Sequence, residues 1–243
     1  MFLHVLKNEI KGIIRDPMYA FFSVYPFIFG GLGYLLVNYI KDNSDNPAWG
    51  NMVAMLLVIM TSYVFGAVTG FTLLDDKDDK VLMSLKITPI STKMYVFVKI
   101  LIGYIFGFIA TLIIVFATGF LSDAGLGMIL LISVIASLQA PFLALVVNSF
   151  AQNKVEGFVI MKATGMTLIL PAVAFFLTDW KEFFLIIAPG FWPARMIMME
   201  LMPTDLYGIE YNLPILLYFV IGIAYNLLVT FGLFKLYTKK SNI

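Results

Sequence analysis

The sequence predicts an all-α membrane protein of six transmembrane helices, with an N-terminal amphipathic interfacial helix. Three observations carry that prediction. Of 243 residues, 61% are hydrophobic and 13% charged, against roughly half apolar and about a quarter charged in soluble domains. Several apolar stretches reach the roughly 20 residues that a helix needs to cross a hydrocarbon core about 30 Å thick. Laid across a bilayer, those stretches leave almost all lysines and arginines on one side.

Charges serve as boundaries, because a Lys, Arg or Asp at a helix centre costs roughly 2.5–3.5 kcal/mol on insertion. The resulting spans are about 18–40, 52–74, 95–121, 126–150, 160–178 and 213–237, within a single transmembrane domain over 1–243. The first has 23 residues, too long for a signal-peptide core of about 7–15. The fourth contains Pro141 and the fifth Pro171; neighbouring helices can re-satisfy the carbonyls that a proline frees. With the N-terminus inside, 13 of the 16 basic residues face the cytoplasm and only Lys41, Lys181 and Arg195 lie outside. The expectation is a multi-pass protein of the cell membrane with both termini cytoplasmic.

Before the first span, Phe2, Leu6, Ile10 and Ile13 recur at helical spacing, with Val5 and Ile14 beside them, while Lys7, Asn8, Lys11 and Arg15 point elsewhere. This predicts an amphipathic helix over 2–15 lying in the membrane interface; a solvated basic leader is the alternative. Asp16-Pro17 ends it, and Pro suits the first turn of the helix that follows. After the second span the charges Asp75, Asp76, Lys77, Asp78, Asp79 and Lys80 come first. Val81, Leu82 and Leu85 then form an apolar face one turn long, and Thr88-Pro89 stops that helix. A short amphipathic helix held between two spans can pass force to a soluble partner. An ordinary charged loop that fixes topology would have the same composition.

The order of these features resembles that of type-2 ABC exporter permeases. Those proteins have an interfacial N-terminal helix, a basic-Asp-Pro junction (here Arg15-Asp16-Pro17) and two spans. An acidic cytoplasmic loop follows, then a short helix ending in Thr-Pro (here Thr88-Pro89) and a lysine opening the third span (here Lys99). The likeness covers the whole chain in layout. It departs from the commoner pattern in having aspartates and lysines where a Glu-Arg-Glu run with a following Gly is usual. The resemblance implies that the loop 75–93 and the N-terminal helix dock on a separate ATPase subunit, present in two copies. Asp75, Asp76, Asp78, Asp79, Val81, Leu82, Leu85, Thr88, Pro89, Lys7, Lys11 and Arg15 are then the coupling residues. It also implies pairing with a second permease copy or a related permease, since six spans are half the usual twelve. The chain has no G-x-x-x-x-G-K-[ST] and thus no phosphate-cradling loop. ATP and Mg are expected on the partner ATPase and no cofactor on this chain.

Other functions lose ground on composition. There is no cysteine and only one histidine, His4, so zinc-protease and Ser-His constellations are missing, and no catalytic or metal site is expected. A net charge of +1 gives no case for nucleic acid. No charge sits deep in a predicted span, which argues against a proton relay or ion-coupled carrier.

Phe21, Phe22, Tyr25 and Phe29 on the first span, Asn148 on the fourth, and Phe191 and Trp192 beyond the fifth are candidate pathway residues for a hydrophobic or amphipathic cargo such as a drug, peptide or lipid. The phenylalanines could equally face lipid. The segment 179–212 is apolar but broken by Pro189, Gly190, Pro193, Pro203 and Gly208. The resemblance implies re-entrant helices there, and Trp180, Trp192 and Tyr207 suit interfacial anchoring. Gly66 with Gly70 and Gly103 with Gly107 permit close helix packing. Ser133, Ser137, Gln139, Asn148 and Asn226 are expected to hydrogen-bond between helices. A self-immunity transporter against antimicrobial peptides and a passive channel or scaffold are the rival functions.

Overall fold

The computed structural model describes residues 2–15, 17–44, 46, 48–85 and 87–241. Asp16 and Lys86 lie outside the described residues, as do the side chains of Phe2, His4, Ile13, Ile14 and Met18. The chain is all-helical: α1 (Phe2–Arg15), α2 (Pro17–Asn43), α3 (Ala48–Asp78), α4 (Val81–Leu85), α5 (Thr92–Thr118), α6 (Leu126–Ser137), α7 (Gln139–Phe150), α8 (Lys154–Gly165), α9 (Ile169–Ala174), α10 (Phe191–Leu201), α11 (Thr204–Tyr207) and α12 (Ile215–Lys240). Among the described residues six helical stretches are long and apolar enough to cross a membrane: Tyr19–Asn43, Ala48–Asp78, Thr92–Thr118, Leu126–Phe150, Lys154–Ala174 and Ile215–Lys240. The protein is a multi-pass membrane protein.

Three of these boundaries differ from the sequence expectation for physical reasons. The second span, α3, continues to Asp78, so Asp75, Asp76 and Asp78 belong to the last turn of a helix rather than to a loop. The fourth stretch is two helices that meet at Leu138, because Pro141 has no N–H to offer the carbonyl of Ser137 four residues earlier. The fifth begins at Lys154 rather than near 160 and ends at Ala174 rather than 178. Asn153 and Glu156 cap its start reciprocally: Asn153 Oδ1 accepts from the Glu156 N–H at 3.0 Å, and Glu156 Oε2 accepts from the Gln152 N–H at 2.8 Å. Such an arrangement satisfies the orphan donors of a helix N-terminus.

The core is α3, packed against α7 on one side and α5 on another, with α2 also against it. The most apolar window of the α6–α7 stretch is 72% buried, against 17% for α12 and 24% for α2, so α12 and α2 form the rim and present apolar faces outward. Glycine permits the central contacts. A Cβ at Gly66 would lie 2.6 Å from the Ala140 carbonyl oxygen of α7, and one at Gly103 would run into Thr69 of α3. Both Gly-x-x-x-Gly pairs therefore pack within the chain. Hydrogen bonds reinforce these seams: Asn148 Nδ2 donates to Gly70 O at 2.9 Å, Gln139 Nε2 to Asn226 Oδ1 at 3.3 Å, and Ser62 shares a 2.8 Å bond with Thr111. Ser137 instead donates to Val134 O on its own helix, and Ser133 Oγ has no partner among the described residues.

Candidate functional site

One end of the bundle carries α1, α4, the α7–α8 link and the end of α12. There α1, α3 and α5 are joined by charge. Lys99, two turns into α5, pairs with Asp76 near the end of α3 and lies 3.8 Å from Glu9 of α1. Tyr95, one turn before Lys99, donates to Asp76 Oδ2 at 3.0 Å. These groups line a cavity of about 210 Å3 together with Gly12, Tyr19, Thr72 and Ile102. Side-chain exposures of 11% for Lys99, 14% for Asp76 and 18% for Glu9 put the cluster at the edge of burial. Burial pushes the Glu9 carboxyl above its ordinary value, and the nearby Lys99 ammonium opposes that shift.

Directly beneath, Leu82 of α4 is buried in one apolar cluster with Val5 of α1, Leu73, Tyr95, Val96, Val98 and Tyr237, and Val81 and Leu85 pack against it. The turn into α4 passes through Lys80, whose φ of 59° is left-handed, the conformation that commonly ends a helix. Beyond α4, Thr88 Oγ1 donates to Leu85 O at 2.8 Å and accepts from the Ile90 N–H at 3.3 Å. The expected coupling residues thus gather at one end. Lys7, Lys11, Arg15, Asp78, Asp79, Thr88 and Pro89 are exposed, while Asp75, Asp76, Val81 and Leu85 are half-buried. Glu9 and Tyr95 are not singled out by the sequence reading; a lone glutamate among the lysines of an amphipathic helix is the signal that could have found Glu9.

A second cavity, of about 330 Å3, opens between α2, α3 and α8. Phe22, Val68, Phe71, Phe158 and Met161 line it, with the Asp75–Lys154 ion pair at one end. Phe71 and Phe158 stack obliquely at 4.6 Å. Of the candidate pathway aromatics, Phe22 lines this cavity, Tyr25 and Phe29 stack on each other at 4.1 Å, and Phe21 is exposed. The others lie elsewhere. Asn148 is buried between α7 and α3, and Phe191 and Trp192 are core residues of α10, packed near Tyr218 of α12.

At the opposite end the segment after α9 folds into a 3-10 turn (Trp180–Phe184), α10 and α11. Its centre is a buried ion pair between Glu182 and Arg195, at 0% and 1% exposure. Tyr218 of α12 donates its hydroxyl to Glu182, Asn212 Nδ2 donates to Glu182 at 2.9 Å and to Thr178 O at 2.9 Å, and Arg195 also donates to Leu177 O. Phe191 and Tyr211 lie under the guanidinium. Burial lowers the Arg195 pKa and the Glu182 carboxylate counters it. Sequence reasoning placed Arg195 merely outside; an Arg and a Glu in an apolar, proline-broken segment were the clue to a partnered pair. Among the described residues no cluster of His, Cys, Asp and Glu is arranged to hold a metal.

Comparison with known proteins adds the last observation. A family model described as "Fluoroquinolones export permease protein Rv2686c-like" matches residues 9–234. The chain is 24% identical over 253 aligned residues to the fluoroquinolones export permease protein Rv2686c of Mycobacterium tuberculosis H37Rv, covering 96% of this chain and 92% of that protein. The corresponding protein MT2760 of strain CDC 1551 matches with the same identity and coverage. No solved structure matches.

Proposed function

Because the chain belongs to the Rv2686c-like family of fluoroquinolones export permeases, we propose that it is the membrane-embedded half of an ATP-driven drug exporter. It works with two copies of a separate ATPase and with a second permease copy or a related permease. The joint at Lys99 is the observation that best supports this reading. It fixes α1 to the ends of α3 and α5 immediately beside α4, so a push on α1 or α4 reaches two spanning helices as one rigid unit. α1 exposes Lys7, Lys11 and Arg15 to a partner, the junction of α3 and α4 exposes Asp78 and Asp79, and α4 itself exposes Met83 and Ser84. With both termini cytoplasmic, that partner sits inside the cell, holds ATP and Mg, and draws its copies together on binding nucleotide. The motion would reshape the cleft between α2, α3 and α8.

That cleft suits a hydrophobic or amphipathic cargo. Its walls are aromatic and aliphatic, with an ion pair at one end, and the relatives' names point to fluoroquinolones as the first cargo to try. Efflux measured in everted membrane vesicles tests the reading. The expected result is fluoroquinolone transport that requires ATP and persists when the proton gradient is collapsed. Transport that continues without any nucleotidase would overturn it.

A further inference from the structure

A third cavity, of about 440 Å3, lies where α3, α7 and α12 end beside one another, and it is lined in part by Lys77, Asn148, Ser149, Ala151, Gln152 and Lys240. Its chemistry is one-sided. Two ammonium groups reach it, and no carboxylate lines it among the described residues. Each ammonium donates once to a carbonyl at the C-terminal end of α7, Lys240 to Ser149 O at 2.9 Å and Lys77 to Ala151 O at 3.5 Å. An ammonium has three donors, so each retains two beyond these bonds, with Lys240 also lying 4.4 Å over the Phe150 ring. Neither lysine joins an ion pair among the described residues, whereas Lys99, Lys154 and Lys181 all do.

Two residues of the lining also carry a buried, unsatisfied side-chain atom just behind the cavity wall. Ser149 and Asn148 are each 4% exposed, and Ser149 Oγ and Asn148 Oδ1 have no hydrogen-bond partner among the described residues. Asn148 Nδ2 already donates to Gly70 O and Ala144 O, which fixes the amide so that Oδ1 remains an acceptor. A buried polar atom left unpaired forfeits its hydration with nothing in exchange. The site therefore asks for a ligand carrying anionic acceptors for the lysines and Ser149 together with a donor for Asn148.

We infer that this cavity binds the phosphodiester headgroup of an anionic lipid that also bears hydroxyls, of the phosphatidylglycerol kind. The phosphate oxygens accept from Lys77, Lys240 and Ser149, and a headgroup hydroxyl donates to Asn148. Depth favours a lipid over a soluble anion. Lys77 and Lys240 stand at the ends of two membrane-spanning helices, at the level of the headgroups, and basic pockets between spans on the cytoplasmic side are suited to such lipids. The bound lipid would tie the end of α12 to α3 and α7. This inference goes beyond the transport reading and stands without it.

The test uses the full chain purified in neutral detergent, with lipid retention followed by native mass spectrometry and thermal midpoint. Phosphatidylglycerol should be retained and raise the midpoint, and phosphatidylcholine should do neither. At roughly 1 kcal/mol per lysine near a headgroup, the pair K77Q and K240Q should weaken phosphatidylglycerol binding roughly thirtyfold. K239Q removes the same charge from a lysine outside the cavity and should leave binding near the native level. S149A keeps the fold with least disturbance and should weaken binding by several-fold, which decides the matter if the double variant does not fold. Equal retention of the two lipids, equal loss in K239Q, or unchanged binding in S149A would overturn the proposal. Equal protection by inorganic phosphate would reassign the site to free phosphate and overturn the lipid.

Discussion

The two ends of the molecule hold their charges in opposite ways. At one end Glu182 and Arg195 are sealed, at 0% and 1% exposure, with Tyr218 and Asn212 donating to the carboxylate and Arg195 donating to Leu177 O. At the other, Glu9, Asp76 and Lys99 sit in a cavity with part of each side chain exposed. A sealed pair has no cheap alternative arrangement, because separating it leaves a charge in a medium that cannot solvate it. A partly wet cluster can shift among partners at little cost, since water covers whatever contact is lost. On the proposed transport reading the contrast is a division of labour: the segment between α9 and α12 would stay closed, and the junction of α1, α3 and α5 would move without being locked.

The contrast is broken most forcefully at the sealed pair. Glu182→Ala leaves Arg195 buried and unpaired, and should cost about 3–5 kcal/mol, read as a large fall in the thermal midpoint of the purified protein. Replacing both partners, with Glu182→Leu and Arg195→Met together, should restore much of that loss, because no uncompensated charge remains. If the single and double variants are equally damaged, the pair is not the locking element.

A smaller effect is expected at the central seam. Gly66→Ala places a methyl 2.6 Å from the Ala140 carbonyl oxygen, where backbone must give way, and overpacking of this kind costs about 1–3 kcal/mol. Lys99→Met should be milder for stability, about 1 kcal/mol, because the cluster is partly solvated. It should nevertheless speed hydrogen exchange in α1, which no longer has a charge holding it to α5. An unchanged α1 would mean that the apolar contact of Val5 suffices.

The smallest effect concerns pH. Burial raises the Glu9 carboxyl above its ordinary value, so docking of α1 favours the protonated form. The stabilising contribution is present in full below the usual carboxylate range and is lost as pH rises through the raised value, in a cluster where Glu9 faces Asp76, Lys99 and Tyr95. Protection of α1 amides, taken relative to their intrinsic exchange rate at each pH, should fall over that interval in the native protein and stay flat in Glu9→Gln.

Much of this architecture was legible in the sequence because the bilayer imposes lengths that composition reveals. The spans, the helix over 2–15 and the short α4 all follow from runs and periods of apolar residues. What stayed hidden depends on partners distant in sequence. The charge-as-boundary rule missed the early start of α8, since Lys154 stands at the exposed first turn of that helix, where it pairs with Asp75 of α3. The same rule gave no sign that Arg195 would find Glu182, or that Lys99 would hold both Asp76 and Glu9. Nor could spacing tell that Phe22 lines a cleft while Phe191 and Trp192 fill the core at the opposite end.

The central claim, that energy enters from a separate ATPase at the end carrying α1 and α4, is tested most directly by a crosslink. The native chain has no cysteine, so Met83→Cys on the exposed side of α4 places a unique thiol there. In native membranes it should crosslink to a soluble nucleotide-hydrolysing subunit and resist thiol reagents that cannot cross the bilayer. Labelling of that thiol from outside intact cells, or a crosslinked complex without a nucleotidase, would contradict the account.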